Sequence, residues 1–178
     1  LGAHQIAFQI WSLLALALDA IAIAGQALVG RYLGAEDGPG ARTVGRRMLE
    51  LGVLAGIGTG LLVVVLRPWL PVLFTADPAV RALTSEVLWV VAALQPLAAV
   101  VFVLDGVLIG AGDSRYLAVA MLAATLLYAL LLGGLVAAGT GLVVLWLAFA
   151  VWIGLRAAGL VGRYVTDRWM VLGADVRP

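Results

Sequence analysis

Asp19 is a carboxylate where a carboxylate is costly. The run from Ile6 to Val29 around it is almost wholly apolar. At about 1.5 Å per residue that run is long enough to cross a hydrocarbon layer of ~30 Å. Asp19 lies near its middle, where insertion costs roughly 3 kcal/mol, and intramembrane acids default to a functional hypothesis. Gln5, Gln9, Ser12, Asp19 and Gln26 follow one another at spacings of 4, 3, 7 and 7 residues. At about 100° per residue they share an arc of about 100° on a helix. One polar stripe on an apolar helix means that one face meets protein or water. Two readings of Asp19 follow. It is a structural carboxyl bonded to a neighbouring helix, or it is a proton or cation site bordering a substrate cavity.

A second set lies on a later apolar run. Gln95 sits beside Pro96, and Asp105 follows nearer the end of the run. Proline withdraws the donor for the carbonyl of Ala92 and predicts a kink. Kinked helices at mid-depth line cavities in transporters, and they also occur as plain kinks. Asp105 lies well away from the centre of its span by helix rise, toward the later end. Pairing with Arg115, simple hydration or a place in a cavity would each suit it. Asp19, Gln26, Gln95 and Asp105 are therefore the candidate cavity residues, with Pro96 as a helix kink.

Enzymatic chemistry has little to work with. The chain has one histidine, His4, and no cysteine, so neither a metal site nor thiolate chemistry is expected. Ser12 has no His or Lys base at its depth. The GxG of Gly110 to Gly112 follows no strand and reads as a turn, not a phosphate cradle. A net charge of +1 gives no bulk field toward nucleic acid.

The elements that must carry these residues follow from composition. Of 178 residues, 64% are hydrophobic and 12% charged, against about half and a quarter in a soluble domain. The expected fold is an all-α integral membrane bundle of five transmembrane helices, at about 3–33, 46–66, 79–110, 116–136 and 142–162, with a polar tail over 163–178. Glu36 to Gly40 and Gly110 to Arg115 read as turns, and Thr75 to Pro78 as a cap and turn. Gly52, Gly56 and Gly60 form a small-residue ridge on the second span, and Gly154, Ala158 and Gly162 a similar ridge on the fifth. Arg156, just inside its span's end, is expected to snorkel outward.

Arginine sets the expected orientation. The side with the first turn, the third turn and the tail holds nine arginines, and the other holds Arg67 and Arg81. This predicts a cytoplasmic C-terminus and an external Leu1. The all-Arg basic set and the Ala, Gly, Val and Leu richness suggest a bacterial source. No charged n-region or cleavage site marks the first span as a signal peptide. The chain reads as the back part of a longer one.

Three stretches carry a family resemblance. Ala3 to Ala41 (AHQIAFQIWSLLALALDAIAIAGQALVGRYLGAEDGPGA) resembles the eighth helix and following loop of multidrug and toxin extrusion (MATE) transporters. Leu73 to Val80 (LFTADPAV) resembles their external segment before the tenth helix, and Gln95 to Leu117 (QPLAAVVFVLDGVLIGAGDSRYL) that helix and the turn after it. Together they look most like the DinF-like branch. The resemblance implies most of the C-terminal lobe of a twelve-helix antiporter, helices eight to twelve. Its partners would be a small-molecule substrate, often an organic cation, the bilayer and the N-terminal lobe of the same polypeptide. It implies no cofactor, only a coupling ion, H+ or Na+. The branch's best-known coupling carboxylate lies on a first helix that this chain does not contain, so it maps to no position here. The sodium-site carboxylates of another branch do not match the spacing of Asp105. Two rival functions remain. A related lipid-precursor flippase would want a larger, cationic cavity, and a non-transporting scaffold would not need Asp19 at midplane.

Overall fold

The computed structural model describes residues 1–172. Six helices follow in order: α1 (Gly2–Gly34), α2 (Gly38–Leu66), α3 (Leu70–Phe74), α4 (Pro78–Gly110), α5 (Ser114–Ala137) and α6 (Leu142–Val165). All but α3 are long and apolar enough to cross a membrane. The fold is the all-helical membrane bundle expected from composition.

The helix ends have local causes. Asp77 caps α4 by accepting hydrogen bonds from the Ala79 and Val80 amides at 2.8 and 3.3 Å, and Pro78 takes the first helical position, where its missing N–H leaves no bond unmade. Asp37 caps α2 by accepting from the Gly40 amide at 2.8 Å. That cap starts α2 at Gly38, eight residues before the expected 46, because Pro39 sits where a helix accepts it, at its start. Glu36 adopts a left-handed φ of 61° to make the tight reversal. Leu70 to Phe74, expected only to stop the second span, forms the short helix α3 with Pro71 in its first turn.

α4 is the centre of the bundle. It packs against α1, α2 and α6, while α5 leans mainly on α6. Contacts pair Ala22 with Gly106 and Gln26 with Gly110, so α1 and α4 run parallel. The ridge of α2 runs antiparallel to α4. A Cβ at Gly52 would stand 2.6 Å from Val103 Cγ2, one at Gly56 2.7 Å from the Gln95 carbonyl oxygen, and one at Gly60 2.7 Å from the Ala92 carbonyl oxygen. The expected ridge is therefore an interhelical seam. The Ala92 carbonyl is the one that Pro96 leaves without its helical donor, and α4 passes through Pro96 as one continuous helix. The second small-residue ridge behaves differently. Added Cβ atoms at Gly154 and Gly162 meet nothing within 4 Å, and α6 instead buries Trp146, Ile153, Ala157 and Leu160.

The segment after α6 is not simply a polar tail. Arg163 lies within α6. Trp169 is fully buried, its Nε1 donating to the Tyr164 carbonyl at 2.9 Å and its ring stacked on Tyr164 at 5.4 Å. Asp167 pairs with Arg42 at the start of α2, which ties the last turn to the first loop. The expectation for Arg177 falls outside the described residues.

Glycine at the seams is a testable requirement. Gly106→Ala drives a methyl group into the Ala22 backbone, which cannot rotate away, and overpacking of this kind costs about 1–3 kcal/mol. Thermal unfolding of the purified protein should show a clear loss for Gly56→Ala and Gly106→Ala. Gly154→Ala, in open space, should melt like wild type or slightly higher. Equal melting temperatures for all three would refute the seam.

Candidate functional site

The α1–α4 contact assembles the site. Glycine at 106 and 110 brings the α4 backbone against the backbones of Ala22 and Gln26. Asp19 is one turn before Ala22, and Asp105 immediately precedes Gly106. The close approach therefore carries the two carboxylates to one groove of about 400 Å3, which Asp19, Gln26, Asp105 and Ser114 line together with apolar side chains. Three of the four residues proposed from sequence thus line one groove.

Gln95 lies apart from it. It is 1% exposed and sits in the α2–α4 seam, where its Nε2 donates to the Val91 carbonyl at 3.2 Å and its Cβ faces Gly60. Its Oε1 has no hydrogen-bond partner among the described residues. The rest of the α1 stripe behaves as its spacing suggests. Gln5 and Gln9 are exposed and Ser12 is half-buried, whereas Ile6, Ile10, Leu18 and Ala22 turn inward.

Asp105 has a partner other than the anticipated Arg115. Arg156 Nη2 donates to its Oδ2 at 2.5 Å, and the two side chains are only 10% and 22% exposed. Arg115 does not make this pair, and Arg156 does not snorkel. The guanidinium also lies 4.9 Å from the Trp152 ring centroid, a cation–π contact that supports a buried arginine. Asp105 and Arg156 also line a second cavity of about 320 Å3, with Tyr116 and Gly159, between α5 and α6. Asp105 is thus a wall shared by two cavities, with Asp19 in one and Arg156 in the other. Two turns further along, Asp113 accepts from Arg163 Nε at 2.6 Å, and nearby the Tyr116 hydroxyl donates to the Gly159 carbonyl at 2.7 Å. These bonds fix α6 beside the α4–α5 turn.

A third cavity, of about 620 Å3, is aromatic. His4, Phe8, Tyr128, Trp146, Phe149 and Trp152 contribute to its wall. Trp11 meets Phe149 edge-on at 5.0 Å, and His4 lies 5.9 Å from the Trp146 ring. The available signal was Trp146, Phe149 and Trp152 at three-residue intervals on α6, a spacing that keeps rings on one side of a helix. His4 takes its place in this aromatic group. Arg156, one turn after Trp152, was legible only by matching its depth to that of Asp105.

Carboxylates on two parallel apolar helices within a bundle of five membrane-length helices define a multi-pass helical membrane protein with ionisable groups within its spans. The MatE family model matches residues 1–135, and the chain belongs to that family. It is 33% identical over 186 residues to Protein DETOXIFICATION 45, chloroplastic, of Arabidopsis thaliana, covering 99% of this chain and 32% of that protein. It is 32% identical over 168 residues to Protein DETOXIFICATION 43 of the same plant, covering 93% of this chain and 31% of that protein. Similarity also extends to the probable multidrug resistance protein NorM of Rhodopseudomonas palustris, 33% identical over 106 residues, 60% of this chain and 22% of that protein. The chain spans about a third of the length of the DETOXIFICATION proteins it matches. No solved structure matches.

The pair can be measured. Removing one partner of a partly buried ion pair leaves the other charge uncompensated. Asp105→Asn and Arg156→Gln should each lower the melting temperature more than the double variant does. A double-mutant cycle should give a coupling energy above about 1 kcal/mol. Strict additivity would mean that the pair is incidental.

Proposed function

We propose that this chain is the larger part of the C-terminal lobe, helices eight to twelve, of a DinF-like MATE antiporter that exports organic compounds, often cations, in exchange for H+ or Na+. The observation that carries this reading is the groove where Asp19, Gln26 and Asp105 meet between two parallel spans. Three acceptor groups at that depth suit a cation or a proton, and the aromatic cavity suits the flat apolar body of an organic cation. The names of the relatives, detoxification and multidrug resistance, agree with export. In this proposal the substrate, the bilayer and an N-terminal lobe on the same polypeptide are the partners, and no nucleic acid or cofactor is involved. The setting is a bacterial cell membrane with the C-terminal side of α6 in the cytoplasm. The arginine distribution supports that orientation.

Asp19 tests the function. A cation or proton site requires a titratable acid, which an amide of the same shape does not supply. In the complete transporter, Asp19→Asn should reach the membrane at wild-type levels and lose most drug efflux. Asp19→Glu should retain more, because it keeps the acid. Drug accumulation at matched expression, measured across several external pH values, is the readout. Wild-type export by Asp19→Asn at every pH would make the carboxylate structural.

Orientation has its own test. Ala35 and Ala76 are both exposed, in the loops on opposite ends of α2 and α3. On intact cells an impermeant thiol reagent should label Ala76→Cys and spare Ala35→Cys. The reverse pattern would invert the topology.

A further inference from the structure

We propose that Arg156 is a tethered counter-cation that competes with the transported cation for Asp105. The inference rests on the efflux reading above and goes beyond it by giving the ion pair a part in the transport cycle. Asp105 is the shared wall of two cavities: Arg156 reaches it from the α5–α6 side, and Asp19 faces the same groove from α1. A cation entering between Asp19 and Asp105 meets one carboxylate that makes no ion pair among the described residues and one already neutralised by an arginine. Binding strengthens as the guanidinium withdraws from Asp105, and return of the guanidinium drives the cation out. The arginine need not be stranded when it withdraws. Its guanidinium already lies over the Trp152 ring at 4.9 Å, so it keeps a cation–π partner without the carboxylate.

The same contact ties the two ligand-facing regions together. Trp152 lines the aromatic cavity, and its Nε1 reaches Thr125 Oγ1 on α5 at 3.4 Å. A shift of Arg156 between Asp105 and Trp152 therefore acts on a wall of the aromatic cavity and on the charge of the carboxylate groove at once. Arg156 is a positioning residue in this scheme, because it acts on the cation through Asp105 and Trp152. Coupling of this kind is a differential contact in two states, which is what links binding sites energetically.

The test uses the complete purified transporter and radiolabelled tetraphenylphosphonium, with equilibrium binding and efflux from proteoliposomes as separate readouts. Removing a competing positive charge should make Arg156→Gln bind the probe more tightly, by about threefold or more, while slowing export. Arg156→Lys keeps the charge and should stay within about twofold of wild type in both. A structural role alone does not predict tighter binding coupled to slower release. The second comparison does not depend on the folding of Arg156→Gln alone. Asp105→Asn leaves the arginine unneutralised beside the groove, and should bind the probe more weakly than Asp105→Asn/Arg156→Gln does. Unchanged or weaker binding in folded Arg156→Gln overturns the competition, as does equal binding by Asp105→Asn and the double variant. Wild type that neither binds nor exports the probe overturns the efflux reading itself, a result distinct from either of these.

Discussion

The approach of one backbone to another at Gly106 and Gly110 is the constraint on which the rest depends. Any side chain at either position would enter the backbone of Ala22 or Gln26. Helices in a bilayer gain little from hiding apolar surface, since lipid is as apolar as leucine, so close packing and polar contacts must hold them together. Glycine seams on two faces of α4 supply the packing. α1 docks on one through Gly106 and Gly110, and α2 docks on the other through its own Gly52, Gly56 and Gly60. A wider separation of α1 from α4 would pull Asp19 away from Asp105 and open the groove into two unrelated faces. The geometry of the acids is thus a consequence of residues that carry no side chain.

Ion pairs supply the second means of association, and their arrangement follows chain direction. α4 and α6 run parallel, so Asp105 meets Arg156 and Asp113 meets Arg163 in the same order along both helices. The two pairs are not equivalent. Asp113 is at the α4–α5 turn, where it and Arg163 fasten the ends of helices. Asp105 is deeper, borders two cavities and has a second acid nearby. Both arginines also lie over a ring, Arg156 over Trp152 at 4.9 Å and Arg163 over Tyr116 at 4.8 Å, so what sets the Asp105 pair apart is the pair of cavities it borders. In the competition proposed above, Asp105 is the point where one ionic contact is exchanged for another.

How much was legible in the chain depended on the range of the interaction. Span number, the polar stripe of α1 and the cap at Asp77 are set within a few turns of helix, and periodicity and composition reveal them. The seam of Gly52, Gly56 and Gly60 was also legible, because three glycines in register have few other uses. The same pattern at Gly154, Ala158 and Gly162 pointed to packing that the described residues do not make, since spacing defines a face but not what lies opposite it. The partner of Asp105 was hidden for that reason. Arg115 is ten residues away along the chain, but it follows the turn and belongs to the next helix, whereas Arg156 is 51 residues away at a similar depth. The early start of α2 was missed because the glycines and proline of Gly38 to Gly40 read as a loop, although Asp37 makes them a capped first turn. Trp169 was missed because the arginines around it give its segment a polar average.

Exposure in this bundle has to be read against lipid rather than water. α5 buries only Ala124, and in a soluble protein that would mark a large adhesive surface. In hydrocarbon an exposed Leu126 or Leu130 costs nothing. What does carry information is an exposed polar group at the same depth, because lipid satisfies no hydrogen bond. Gln5, Gln9, Ser12 and Asp19 lie along the outward part of α1, away from the Ile6, Ile10 and Leu18 face that meets the core. Their donors and acceptors require either water or polar groups from outside the described residues. The apolar surfaces of α5 and α2 make no such demand. The side of α1 that bears Asp19 is therefore the polar side of this bundle, and Asp19 and Gln26 on it also line the carboxylate groove.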